Sequence, residues 1–494
     1  MGQIYERAMS TVAWVGREDE DISAMMLDLP NMLQKAREFV GNPASKVVTS
    51  GFPVSRPPGW LGLYKLFLRP WFRRLWVVQE AVLSRAVLLV CGESVVNADS
   101  LLPLIDEQGL YTSQVLVQMN RPLMPPKDLW KGLGCFRLVC TLRKPRLEGT
   151  FVPQGLPELT SMTEDFLAFD PRDRVYSLLG ITNSFWRDLV SVSYQIPTET
   201  LYIDLATLWL ANRPHLLTLN QASSRPPMPD LPTWCPNFNE VPVPVRLGIV
   251  YKTAGYSAGV PERRDDWIHW QWSQLQDEEH YTSSSSLAPE PRIVSTRLPV
   301  KGFLIGYAES VVPPGWLVSY DNNPDRKMIA ASLKWEKECL RISQSVYNQL
   351  NSIPIGHART LVANKTLASP PHRRYTGDIV GGYEETIERF SNQDLEDNDL
   401  SETILEYMPS LQIACLGRAF FSTSSGSVGI GPGDLKVGDM ICIFDGGVTP
   451  FIIRPKSDDP NLYEFFGEAY VDGIMYGEAL ETEEAKNVTT FTLV

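Results

Sequence analysis

The sequence predicts an α+β protein of several modules: an α/β module at the amino end, a mainly helical middle and a β-rich, barrel-like module at the carboxyl end. Three observations carry this expectation. At 494 residues the chain is longer than one ordinary core holds, so it divides. Its first hundred or so residues interleave helical patterns with short β-branched runs, the mark of an α/β unit. From residue 411 the pattern becomes short apolar runs parted by Gly, Pro and Asp at strand-length intervals. The expected divisions are 1–98 (α/β), 99–220 (helical), 221–383 (mixed), 384–410 (an acidic loop) and 411–494 (β-rich).

Residues 3–10 read as a helix leading into "TVAWVG", a short buried strand that ends at Gly16. "EDEDISAMMLDLPNMLQKAREFV" follows as a helix whose acidic first turn suits the positive end of its dipole. Pro30 should kink or break it, because proline cannot donate to the helical ladder. "SGFPVSRPPGW" is a loop, 62–68 a short helix and 71–84 a longer one. In the longer helix Leu75, Val78 and Val82 fall on one face and should be buried. "RAVLLVCGESVV" is rich in residues that favour strands.

Residues 100–215 read as helical, interrupted at "PLMPP". Within them "FLAFDPRDRVYSLLGI" has Asp170 or Asp173 as a helix start, Val175, Leu178 and Leu179 as its apolar face, and Gly180 as its end. Asp170, Arg172, Asp173 and Arg174 alternate in charge and are expected to cap that helix and bridge modules. "SSRPPMPDLPTWCPNF" is a proline-rich connector. Residues 245–320 alternate strand-like runs with a serine tract at Ser283–Ser286, and 331–350 form an amphipathic helix. The stretch 384–407 is dense in Asp and Glu and has little to bury, so it reads as a solvated loop. Beyond 411 the runs "GRAFFSTSSGSVGIGPGD", "DMICIFDGG", "TPFIIRP" and "YEFFGEAYVDGIM" fit a compact β-barrel or sandwich.

Composition excludes several classes of function. The net charge is −13. It splits into 18 Lys+Arg against 14 Asp+Glu over 1–150, and 27 against 44 over the rest. A nucleic-acid partner is not expected, since such proteins concentrate positive charge. Arg69, Arg73 and Arg74 with Trp71 and Trp76 therefore read as internal packing and pairing. The longest apolar runs, such as "AVLLVC", are too short to span a bilayer. Seven scattered cysteines without a Cys-x-x-Cys suggest reduced thiols and a cytoplasmic protein. No metal site is expected: His269 and His280 lack cysteine support, and Cys135 and Cys140 do not share a helix face. "GIGPGD", residues 429–434, lacks the Gly-Lys-Ser/Thr ending of a phosphate loop and reads as a β-turn.

The motifs "QIYERAMSTVAWVGRED", "PWFRRLWVVQEAVLS", "DPRDRVYSLLGI", "LPTWCPNF" and "RAFFSTSSGSVGIGPGDLKVGDMICIFDGGVTPFIIRP" resemble fungal heterokaryon incompatibility domain proteins, in an order that covers nearly the whole chain. The resemblance implies a signalling protein of fungal non-self recognition and programmed cell death, with protein partners or self-association and no cofactor. It also departs from the pattern. The family's domain usually opens upstream with an "LSYxWG" strand and a "CINQ" motif, and neither occurs in these residues. The first module is accordingly expected to be a truncated α/β module.

These domains are thought to be distantly similar to Toll/interleukin-1 receptor domains. In enzymatic members of that fold a glutamate four residues after a tryptophan lines an NAD pocket. Trp76 and Glu80 have that spacing, which puts both on one helix face. A carboxylate there would stabilise the oxocarbenium-like state of nicotinamide–ribose cleavage. The alternative reading is thus an NAD glycohydrolase with Glu80 as catalytic residue and Trp76 beside the cofactor. The competing structural reading pairs Glu80 with Arg73, Arg74 or an arginine of another module. An incomplete sheet favours a chain without this catalysis.

Overall fold

The computed structural model describes residues 2–40, 60–104, 127–212, 216–222, 228–240, 247, 296–318, 325–365, 375, 377–392 and 402–494. The chain forms two compact units, Met1–Gln195 and Ile196–Val494. The expected serine tract, His269 and His280 lie outside the described residues.

The first unit opens with α1 (Gly2–Arg7), β1 (Thr11–Gly16), α2 (Glu20–Val40) and α3 (Trp60–Phe67). A 3-10 turn at Pro70–Arg73 precedes α4 (Trp76–Leu83), and β2 (Val87–Cys91) and β3 (Ser94–Asn97) follow. The unit closes with α5 (Lys127–Leu147), α6 (Leu156–Met162), α7 (Asp173–Tyr176) and α8 (Ser184–Leu189). β1 and β2 run parallel, and β3 turns back antiparallel on β2. The unit therefore mixes helices with a three-stranded sheet.

Three expectations need correction here. Of the kink or break expected at Pro30, the break does not occur, since α2 runs from Glu20 through Pro30 to Val40. The continuous helix expected over 71–84 is a 3-10 turn and an α-helix separated at Arg74 and Leu75. The reason lies at Leu167, whose N–H bonds the Arg73 carbonyl (2.6 Å) and whose carbonyl accepts from Leu75 (2.9 Å). Those two bonds divert the backbone into a β-bridge. The helix expected from Asp170 or Asp173 spans only Asp173–Tyr176.

The interior of α4 matches its spacing: Leu75, Val78 and Val82 are all buried. Leu75→Ala should cost the first unit about 2–5 kcal/mol, the usual range for emptying a sealed site. A chemical-denaturation midpoint equal to that of the parent chain would contradict this packing. Close helix crossings add sequence constraints. A side chain at Gly62 would run into the Asp21 carbonyl of α2 and the Met25 side chain.

The second unit begins with α9 (Thr198–Asn212), α10 (Leu217–Ala222) and the long β4 (Leu298–Val312). Helices α11 (Arg326–Val346), α12 (Ile355–Leu361), α13 (Ile379–Asn392) and α14 (Glu402–Cys415) come next. The remaining strands are β5 (Ala419–Thr423), β6 (Val428–Gly431), β7 (Met440–Phe444), β8 (Phe451–Pro455), β9 (Leu462–Glu468), β10 (Tyr470–Val471) and β11 (Thr489–Leu493). Strands 4, 11, 9, 8 and 7 pair in that order, and β7 pairs again with β4, so the ring closes. Closure removes the exposed edges that a free sheet must otherwise protect. The far half of β4 leaves this ring and pairs with β5, which continues to β6 and β10.

The β-rich carboxyl end is as expected, but the ring needs β4, which precedes residue 411 by a long stretch of chain. The acidic segment is also corrected. Its described parts are helical, in α13 and at the start of α14, and 393–401 lie outside the described residues. In α13 Ile379, Gly382, Tyr383, Thr386 and Phe390 recur at helical spacing and are buried, so its acids occupy the opposite side. "GIGPGD" is likewise not simply a turn, because Gly429–Gly431 belong to β6. All seven cysteines are buried and unpaired.

Under the helices lies a sealed polar cluster. Ser343 Oγ and His357 Nδ1 are 2.9 Å apart, and His357 Nε2 lies 3.4 Å from Glu336 Oε1, which also accepts from the Tyr383 hydroxyl. Burial holds the His357 pKa below its ordinary value, opposed by the Glu336 carboxylate. The trio resembles a hydrolase triad, but neither Ser343 nor His357 has exposed surface, and Ser343 also donates to the Cys339 carbonyl (3.1 Å). No substrate reaches it, so the cluster is a core network.

Candidate functional site

Trp76 is the first residue of α4, and Glu80 lies one turn on, as their spacing requires. Both are half-buried. What the sequence does not show is how each is held. The Trp76 indole donates to Asp173 Oδ2 (3.0 Å), and Tyr194 donates to the other oxygen of that carboxylate (2.6 Å). Asp173 therefore ties α4 and the 193–195 segment to α7. It joins parts of one unit, where the sequence reading had it cap a helix and bridge modules. Burial and the Asp173 carboxylate raise the Tyr194 pKa above its ordinary value, which keeps the phenol protonated as a donor.

Glu80 is approached by Tyr5 of α1. The Tyr5 pKa is raised by burial first, and then by the charge of Glu80 and a hydrogen bond to its side chain. Tyr5 and Glu80 are therefore neighbours across α1 and α4. Arg74 is exposed and acts on Tyr5 only through its charge, while the Arg73 carbonyl receives Leu167. Arg69 donates to the Arg17 carbonyl (2.9 Å), and Trp71 is buried edge-on against Phe72. Arg69, Trp71 and Trp76 are thus engaged within the first unit.

Next to Glu80, Gln79 is buried and its Oε1 accepts from the Gly180 N–H (3.0 Å). A Cβ at Gly180 would overlap that oxygen, so this glycine is needed for close approach and not for a helix end. Gly2 of α1 packs on the same spot, against Gly180, Gln79 and Leu83. The three segments "GQIYER", "WVVQEAVL" and "DRVYSLLG" thereby meet in one place. Tyr5, Gln79, Asp173 and Tyr194 were not found as site residues by the sequence reading. Three of them sit inside the motifs quoted above, and Asp173 also stands in the alternating charge cluster.

The sheet beside this site is open on one side. In β1, Ala13 and Val15 point inward, while Val12 (65% exposed) and Trp14 (59%) point out. The register sets Trp14 beside Val90 and Val90 beside Val95 (58% exposed). An apolar row thus crosses all three strands. The second unit holds a cavity of about 250 Å³ around Asp472. Among the described residues no cluster of His, Cys, Asp or Glu is arranged to hold a metal ion, and no helix is long and apolar enough to cross a membrane.

Comparison with known proteins agrees with the sequence resemblance. Residues 1–80 match the family "Heterokaryon incompatibility protein (HET)", and residues 395–494 match the "Het-6 beta-barrel domain". The chain is 24% identical to "Heterokaryon incompatibility protein 6, OR allele" of Neurospora crassa, over 99% of this chain and 79% of that protein. No solved structure matches, so the likeness to Toll/interleukin-1 receptor domains stays an expectation from sequence. The chain is thus similar to heterokaryon incompatibility (HET) proteins at its amino end, in its carboxyl-terminal barrel and along the relative that spans both.

Proposed function

We propose that this protein acts in fungal non-self recognition as a cytoplasmic signalling protein leading to growth arrest or cell death, and that it works through protein contacts without catalysis. The observation that supports this reading is the apolar row Trp14–Val90–Val95 on the open face of the first unit's sheet. Sheets with parallel strands are ordinarily covered on both faces. An ordered, uncovered row of this kind is a surface suited to a protein partner or a second copy. The partnered state of Trp76 points the same way, because Asp173 takes up the indole N–H that would otherwise face a ligand.

The test is expression of the chain in a fungal host, with growth arrest as readout. Trp14→Asp with Val95→Asp should abolish arrest while leaving the thermal midpoint of the purified protein unchanged, because both side chains are already in water. Undiminished arrest in that variant would remove the contact reading. Incubation with NAD should release no nicotinamide above a Glu80→Ala control. Release that vanishes in the control would put the glycohydrolase in its place.

A further inference from the structure

We infer that the cavity around Asp472 in the second unit is a binding site for a small zwitterion of the α-amino-acid class. Its volume of about 250 Å³ is below the roughly 300–1,000 Å³ of drug-sized pockets, so its ligand is small. A dinucleotide is excluded there on size alone.

Both signs of charge stand on its wall. Arg359, from α12, is ion-paired with Asp472: Nη2 donates to Oδ2 at 2.9 Å, and Nε lies 2.9 Å from Oδ1. Asp472 is fixed in turn by the hydroxyls of Tyr347 (3.1 Å) and Tyr470 (3.2 Å). The guanidinium carries five N–H donors, of which Asp472 takes one, and Arg359 lines the cavity. Glu478 lines it too. One of its carboxylate oxygens accepts from the Tyr476 N–H (2.7 Å), and the other has no partner among the described residues. Met475 and Tyr476 supply apolar lining.

A simple anion would face Glu478 and a guanidinium already paired with Asp472. A simple cation would face Arg359. A ligand carrying a carboxylate and an ammonium satisfies both, with the carboxylate on Arg359 and Asn364 and the ammonium on Glu478.

The backbone offers a second, independent sign of a built site. Ala363 and Asn364 are consecutive non-glycine residues in the left-handed region, at φ 49° and 50°. One left-handed residue suffices to end a helix, and glycine is the usual choice. Here the Asn364 N–H closes the helix on the Arg359 carbonyl (2.8 Å), and Asn364 becomes part of the cavity wall beside that arginine. Backbone strain of this kind gathers at ligand sites, where the surrounding structure holds it.

The experiment uses the full chain with L-methionine and L-leucine as probes. Each should raise the thermal midpoint in a dose-dependent way at millimolar concentration. N-acetyl-L-methionine, which lacks the ammonium, and L-methionine methyl ester, which lacks the carboxylate, should both fail. Glu478→Gln should weaken L-methionine by about tenfold or more in calorimetry, which is a change of 1.4 kcal/mol. Asn364→Gly is the variant that separates binding from folding. Glycine accepts the left-handed backbone, so the free protein should be no less stable while L-methionine binding falls. The inference is overturned by no shift with either amino acid, by equal shifts with the blocked derivatives, or by full binding in both variants.

Discussion

Glu468→Ala should destabilise the second unit by about 3–5 kcal/mol, the usual cost of removing one member of a buried ion pair. Glu468 is buried at the end of β9. It accepts from Asn220 (2.7 Å) and from the Leu247 N–H, with Arg418 3.9 Å away. Lys365, itself buried, donates to the Leu247 carbonyl (3.0 Å) and feels the Glu468 charge. Without the carboxylate, the buried Arg418 guanidinium would lose this counter-charge, and the Asn220 amide and the Leu247 N–H would lose their acceptor. Urea denaturation of the variant measures the cost, and a loss below about 1 kcal/mol would place these charges in water.

The same cluster gives stability a pH signature. Burial lowers the Lys365 pKa from 10.5 to about 7, against the opposing pull of Glu468. Between those values the unfolded chain holds a proton that the folded chain has released. Stability contributed at this site therefore rises with pH from about 7 and levels off above about 10.5. Lys365→Met should remove that rise, and parallel stability–pH curves for the two proteins would refute the assignment.

Asp173→Ala should cost the first unit about 3–6 kcal/mol, since hydrogen bonds to a charged group are worth about 1.5–3 kcal/mol each and two are lost. Both donors, the Trp76 indole and the Tyr194 hydroxyl, would be left without this acceptor. Asp173→Asn should recover part of the loss, because its amide oxygen still accepts one of them. Trp76 fluorescence should change in Asp173→Ala well below the unfolding transition. An unaltered emission together with an unaltered midpoint would show that the carboxylate does not hold the indole.

Some of this molecule follows from its sequence alone. Period and propensity act over a few neighbouring residues, so they reveal β1, β2, α4 and the amphipathic α11, and they place Leu75, Val78 and Val82 inside. The turn residues after 411 announce short strands for the same local reason. The i, i+4 relation of Trp76 and Glu80 is likewise fixed by helix geometry. Tertiary structure decided what these pieces do. Two bonds to Leu167 split the segment 70–83, although nothing local in it requires a break. Packing of Tyr383 and Phe390 turned an acidic stretch into a helix. β4 closes a ring with strands that lie far along the chain, and hydrogen bonds across such separations leave no periodic trace in either partner. The partners of the site residues are of the same kind. Asp173 reaches Trp76 and Glu468 reaches Asn220 only because folding brings residues far apart in the chain together. A buried polar group must find such a partner, but the sequence does not say which one.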